Sequence, residues 1–137
     1  KEELNVDSLQ IRTGQIRLMI LDDAGEERGV FKFNPEDVES AKQVVLLQKE
    51  LEEKNKEFDI QAEQCETPEE KAELLSTTVA YFRGLVDRCF GEGSSDLLFG
   101  NNNTLSMFYD FFEGITPYYE RASKQRMAKY KKAGKSK

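Results

Sequence analysis

The chain has 137 residues, 38% hydrophobic and 34% charged, with 20 Lys or Arg against 26 Asp or Glu and no His. That length suits one domain with a single modest core, no apolar run approaches the roughly 20 residues of a membrane-spanning helix, and the start at Lys1, Glu2 and Glu3 lacks the apolar stretch of a secretory leader. Without His there is no Ser-His-Asp or Cys-His nucleophile system, no imidazole for zinc, and no side chain that ordinarily titrates near neutrality.

Cys65 and Cys89 are too few and too far apart for a disulfide framework or a CxxC metal knuckle, so reduced, buried thiols and a cytoplasmic location are expected. Charge is unevenly placed. From Arg121 to Lys137 there are eight bases and no acid, while the remaining 12 bases stand against all 26 acids, leaving an acidic body of −14 and a basic end of +8. Residues 1–120 read as a single helical domain with an N-terminal β-hairpin, and residues 121–137 as a basic C-terminal helix end or tail.

Strand signals are confined to residues 8–33. Ser8 to Arg12 is a short candidate, Thr13-Gly14 reads as a turn, Gln15 to Leu21 is apolar, Asp22 to Gly25 is turn-like, and Arg28 to Phe33 returns. Two or three antiparallel strands result, and a sheet this small must lay one face on helices. Asn34-Pro35-Glu36-Asp37 then reads as a helix start, with Asn34 as cap and Pro35 at the first position. Val38, Ala41 and Val45, followed by Val44, Leu47, Leu51 and Phe58, predict one apolar side on a helix running to about Ala62. Only Leu51 is apolar between Lys49 and Glu57, so this first helix is expected to project into solvent, with Glu50–Lys54 and Glu52–Lys56 pairs on its surface.

Thr67-Pro68-Glu69-Glu70 has the form of a capping box. Behind it Leu75, Val79, Phe82, Val86, Cys89 and Phe90 form a core stripe that ends at Gly91, a C-terminal cap glycine. Residues 91–103 form a loop whose centre, Leu97-Leu98-Phe99, is expected to make one helical turn plugging the core. Gly91, Gly93 and Gly100 would supply positive φ there. Neither GxxxxGK[ST] nor a GxGxxG behind a strand occurs, and the Asp, Glu and Asn spacing does not match a calcium loop, so no cofactor and no metal is expected. Thr104 caps a last helix carrying Leu105, Phe108, Phe112, Ile115 and Tyr119, with Tyr109, Phe111 and Tyr118 on a second edge, and Pro117 is expected to kink or break it. The fold class is α+β, mostly α: an N-terminal two- or three-stranded antiparallel hairpin packed on three helices, the first one long and projecting.

Three stretches carry a resemblance. They are Phe31 to Ala41 (FKFNPEDVESA), the long charged helix after it, and Val86 to Glu120, in which the segment F-G-E-G-S-S-D-L-L-F-G from Phe90 to Gly100 is the most distinctive. Across Arg12 to Arg121 the chain is similar to small tail-morphogenesis proteins of phages and prophages of Gram-positive bacteria, several of them tail assembly chaperones. The resemblance implies no enzyme. It implies an assembly factor in the bacterial host cytoplasm that binds another tail protein, a tape-measure or tube subunit, before polymerisation. The basic C-terminus departs from a purely acidic holding surface.

Aromatic residues on more than one face of the last helix suit such holding: either a second element covers the extra face, or it is an interface. The candidate protein-binding residues are Phe108, Tyr109, Phe111, Phe112, Tyr118 and Tyr119. Two other readings are kept. One is a structural subunit retained in the tail, closing into rings through contacts between the basic end and the acidic body. The other is an acidic inhibitor that occupies the nucleic-acid groove of a host enzyme, motivated by the acids of 50–57 and 63–73. Self-association is open, and neither membrane nor nucleic-acid binding is expected.

Overall fold

The computed structural model describes residues 5–135; Lys1 to Glu3, Lys137 and the side chain of Tyr130, which enter the sequence reading, lie outside what it describes. It has the order β1 (Ile16–Leu21), β2 (Glu27–Phe33), α1 (Val38–Gln64), α2 (Pro68–Phe90), α3 (Ser94–Phe99), α4 (Ser106–Lys135). The α+β, mostly helical expectation holds, with two strands among the described residues; Ser8 to Arg12 is not one of them.

β1 and β2 pair antiparallel from Ile16 opposite Phe33 to Ile20 opposite Gly29, with the register shifting at Leu21. The Asp22 carboxylate closes the connection by accepting the N–H groups of Ala24 and Glu26, both at 2.9 Å. Strand alternation turns Ile16, Leu18, Ile20, Phe31 and Phe33 toward the helices and leaves Arg17, Met19, Leu21, Val30 and Lys32 outside.

α1 begins three residues later than expected. Asn34 Oδ1 accepts the N–H of Glu36 and makes a turn, and Asp37 is the cap, its carboxylate accepting from Ser40 N at 2.8 Å. Over its 27 residues, roughly 40 Å, α1 buries Val44, Leu47 and Leu51. From Glu52 on it is mostly exposed, as is the start of α2, so the two helices project as a pair. The expected surface pairs are replaced: Glu50 accepts from Arg88 at 2.7 Å and from Tyr81 at 3.2 Å across the α1–α2 seam, and Lys54 meets Glu57 at 3.8 Å. A partner fixed on a second helix outcompetes one on the same surface turn.

The capping box at Thr67 forms, with Glu70 N donating to Thr67 Oγ1 at 3.1 Å; the Glu70 carboxylate reaches back to accept from Thr67 Oγ1 at 3.2 Å and from Glu66 N at 3.3 Å. α2 buries Val79, Phe82, Leu85 and Val86 and stops at Gly91, φ +112°. α3 is the expected plug, with Leu98 and Phe99 buried. Three polar ties lock it: Asp87 accepts from Ser95 N (2.7 Å) and Ser95 Oγ (3.1 Å), Arg83 pairs with Asp96 (3.3 Å), and Arg83 donates to the carbonyls of Gly100 and Asn102.

α4 runs unbroken through Pro117, so of the expected kink or break the break does not occur. Proline deprives Glu113 of its intrahelical donor, but Glu113, Gly114 and Pro117 face solvent, where water can serve that carbonyl. Thr116 Oγ1 donates to the neighbouring Phe112 carbonyl at 2.6 Å. The helix also continues past residue 120, with Ala122 buried and Arg126 donating to the carbonyls of Pro35 (3.2 Å) and Glu36 (3.1 Å).

Rings hold α4 to the rest. Phe108 meets Phe82 and Phe99 edge-on at 5.3 and 5.0 Å, and Phe111 meets Phe31, Phe90 and Phe99 at 5.5 to 6.0 Å. Phe33 lies between Tyr118 (5.6 Å) and Tyr119 (5.8 Å). Phe111 and Tyr118 of the second aromatic edge are therefore covered by the hairpin, while Tyr109 stays exposed. Phe111→Ala is expected to cost about 2 kcal/mol, whereas Tyr109→Ala, at a 47% exposed site, should change stability by less than about 0.5 kcal/mol; urea unfolding of both variants checks the contrast.

Candidate functional site

α1 and α4 run antiparallel: Ser40 Oγ lies 3.0 Å from Tyr119 Oη at one end, and Asp59 and Glu52 act on Tyr109 at the other. Their backs leave a groove of about 320 Å³ whose walls include Ala41, Val45 and Gln48 from α1 and Thr116, Tyr119 and Ser123 from α4. Helical spacing explains both walls. Val38, Ala41 and Val45 recur one position away from the Val44, Leu47, Leu51 row, so they form a second apolar row rather than part of the first. Val38 and Val45 are 58% and 63% exposed, as this requires. On α4 the seven-residue series Tyr109, Thr116 and Ser123 faces the same way, and Met127, one turn beyond Ser123, is 54% exposed.

The ends differ in charge. Arg126 and Lys129 border a smaller hollow with Val38 and Glu36 at one end. Glu52 and Asp59 stand at the other, where Tyr109's hydroxyl is pushed above its ordinary value, first by burial and then by those two carboxylates. Tyr119's hydroxyl is also raised, mainly by burial.

Of the six residues proposed from sequence, Phe108 and Phe112 are buried at 1% and 7% exposure, and Phe111 packs against the same core. Tyr118 is half-buried against Phe33 and beneath the Arg121 guanidinium. Of the six, Tyr119 lines the groove and Tyr109 is exposed further along α4, so the structure does not gather them on one surface. Ala41, Val45, Gln48, Thr116 and Ser123 are among the groove residues that sequence reading missed, with Val44, Glu120 and Arg126, although the offset between the two apolar rows of α1 was there to be seen.

A larger cleft of about 500 Å³ lies between the hairpin tip, α3 and the start of α4, with Asp22, Arg28, Asp110 and Phe111 on its walls. Asp22 is committed to its own turn, and the Arg28 guanidinium is packed on Gly100. No group of three or more potential metal ligands occurs among the described residues. No helix among them is long and apolar enough to cross a membrane. Cys89 is half-buried on α2, and burial pushes its thiol from 9.0 up to about 11. Because folding favours the neutral thiol, the stability it contributes is complete below pH 9 and is lost as the pH rises toward 11. In a Cys65→Ser background, alkylation of folded Cys89 should therefore stay slow at pH 8 and accelerate only near pH 11.

With the architecture in place, the chain can be assigned to a group. It belongs to a family of unknown function (DUF6673), whose model matches residues 27–137 and so takes in β2 and all four helices. No curated protein and no solved structure matches it.

Proposed function

We propose that this chain is a non-enzymatic phage tail assembly factor that holds a helical segment of another tail protein, a tape-measure or tube subunit, in the α1–α4 groove before polymerisation. The observation that carries this reading is the second apolar row on α1, left uncovered beside small residues of α4. Ala41 and Ser123 permit close approach of a partner backbone, and Val38, Val45, Tyr119 and Met127 offer apolar contacts along the axis of a docked helix. Arg126 and Lys129 stand with Glu36 and Glu120 at one end of the groove, and the carboxylates Glu52 and Asp59 stand toward the other end of the helix pair. The acidic end suits an amphipathic helix with bases near one terminus, and that charge sets the direction in which the helix lies. The tail setting, and with it the bacterial host cytoplasm, rests on the resemblance carried by Phe31 to Ala41 and Val86 to Glu120.

The test is co-expression with the tape-measure and tube proteins of the same phage genome, followed by co-purification through a tag on this chain. One of the two should be retained and kept in solution. Val45→Glu combined with Ser123→Glu should abolish retention without altering the far-ultraviolet circular dichroism, because charge is placed where an apolar ridge must dock. Retention that survives the double substitution would reject the groove, and failure to retain either protein would reject the tail role.

A further inference from the structure

Residues 5–13 form an arm that holds large apolar side chains in the open: Val6, Leu9 and Ile11 are 71%, 84% and 69% exposed. Asp7, Leu9 and Ile11 alternate with Ser8, Gln10 and Arg12, the two-residue period of a strand with one apolar face. Yet the arm belongs to no sheet in its own chain. Among the described residues β1 has a strand partner on one side only, and its outer face leaves Met19 and Leu21 45% and 56% exposed beside Arg17.

The two segments match residue for residue when set parallel. Asp7 falls beside Arg17, Leu9 beside Met19, and Ile11 beside Leu21, so one charge pair and two apolar pairs share a single face. The chain cannot make this match with itself. The arm and β1 are consecutive, with Thr13 to Gln15 between Arg12 and Ile16, and parallel strands need a connection of about a dozen residues or more. Folding back antiparallel is also prevented, because residues 11–15 form no turn. Asn34 Nδ2 donates to the Thr13 carbonyl at 2.9 Å, and the Glu36 side chain covers Gly14 so closely that a Cβ there would lie 2.6 Å from its carboxyl carbon. That tether holds residues 13 and 14 against the start of α1.

We propose that the arm of one copy adds as a parallel strand along the free edge of β1 in a second copy, and reciprocally, making an arm-exchanged dimer. An unpaired strand edge is a template for such addition. The arm and β1 lie outside the 27–137 family match, so the exchange is assigned to this chain and not to the family.

Sedimentation analysis of the full chain should give twice the chain mass. Leu9→Lys with Ile11→Lys should give the mass of one chain with an unchanged circular dichroism spectrum, since both side chains are largely exposed. Asp7→Arg should weaken the dimer at least tenfold, and adding Arg17→Asp should restore it, a rescue that a merely sticky arm would not show. The proposal is overturned if the full chain sediments as a monomer, if the dimer survives the double lysine substitution (which would place self-association elsewhere, for instance in the α1–α4 groove), or if the charge swap gives no rescue. Groove blocking by Val45→Glu and Ser123→Glu should leave this dimer intact, so the two readings fail separately.

Discussion

Phe82→Ala should lower the unfolding free energy by about 3–5 kcal/mol, enough to leave little folded protein at ambient temperature. Phe82 is fully buried and is stacked edge-on against Phe108 at 5.3 Å, where α2 meets α4. Truncation removes the transfer energy of a whole ring, opens a cavity that the surrounding rings cannot close by small shifts, and deprives Phe108 of a partner. Urea unfolding, followed by circular dichroism, would give the difference directly. A loss below about 1 kcal/mol would mean that the site collapses around the smaller side chain, which fits a plastic core and not the close ring lattice seen here.

Gly100→Ala should cost about 2–4 kcal/mol, a large effect for one added methyl group. Two independent causes combine. Gly100 ends α3 at φ +60° and ψ −134°, a region that residues with a Cβ rarely occupy. A Cβ built there would also overlap the Arg28 guanidinium. A double-mutant cycle separates them: Arg28→Ala should recover the steric part and leave the conformational part. If Gly100→Ala is neutral, the turn after α3 adopts another path, and the Arg83 bonds to the Gly100 and Asn102 carbonyls should be absent in solution.

These two residues also show how far the sequence could be read. The capping box at Thr67, the stop at Gly91, the plug at Leu97 to Phe99 and the two-stranded hairpin are local features, each settled by a few neighbouring residues, and they stand as expected. Phe111 is different. On a helical wheel it falls on a second edge of α4, and only the long-range return of the hairpin, which places Phe31 5.6 Å away, makes that edge interior. Pro117 likewise could not be placed from sequence, because its cost depends on which face of α4 meets solvent. The groove was half legible: its α1 row was visible but was merged with the core row beside it, an error of one residue that amounts to about 100° around the helix. The segment Phe90 to Gly100 turns out to be a structural lock, with Asp87, Ser95, Arg83 and Asp96 tying α3 onto α2.

The uninterrupted course of α4 through Pro117 has an electrostatic consequence. Arg126 ties α4 to the carbonyls of Pro35 and Glu36, and the helix carries on to Lys135, about 13 Å further along the axis at 1.5 Å per residue. That distance exceeds the Debye length of about 8 Å at physiological ionic strength. The far end of the helix therefore reaches past the screening distance measured from the Arg126 tether, and residues 121–137 give that end its basic charge. The molecule carries two separated poles on a stiff lever, so an approaching charged partner experiences a torque as well as an attraction. It would be turned into one orientation before any contact forms, and this pre-alignment would fade as salt is added.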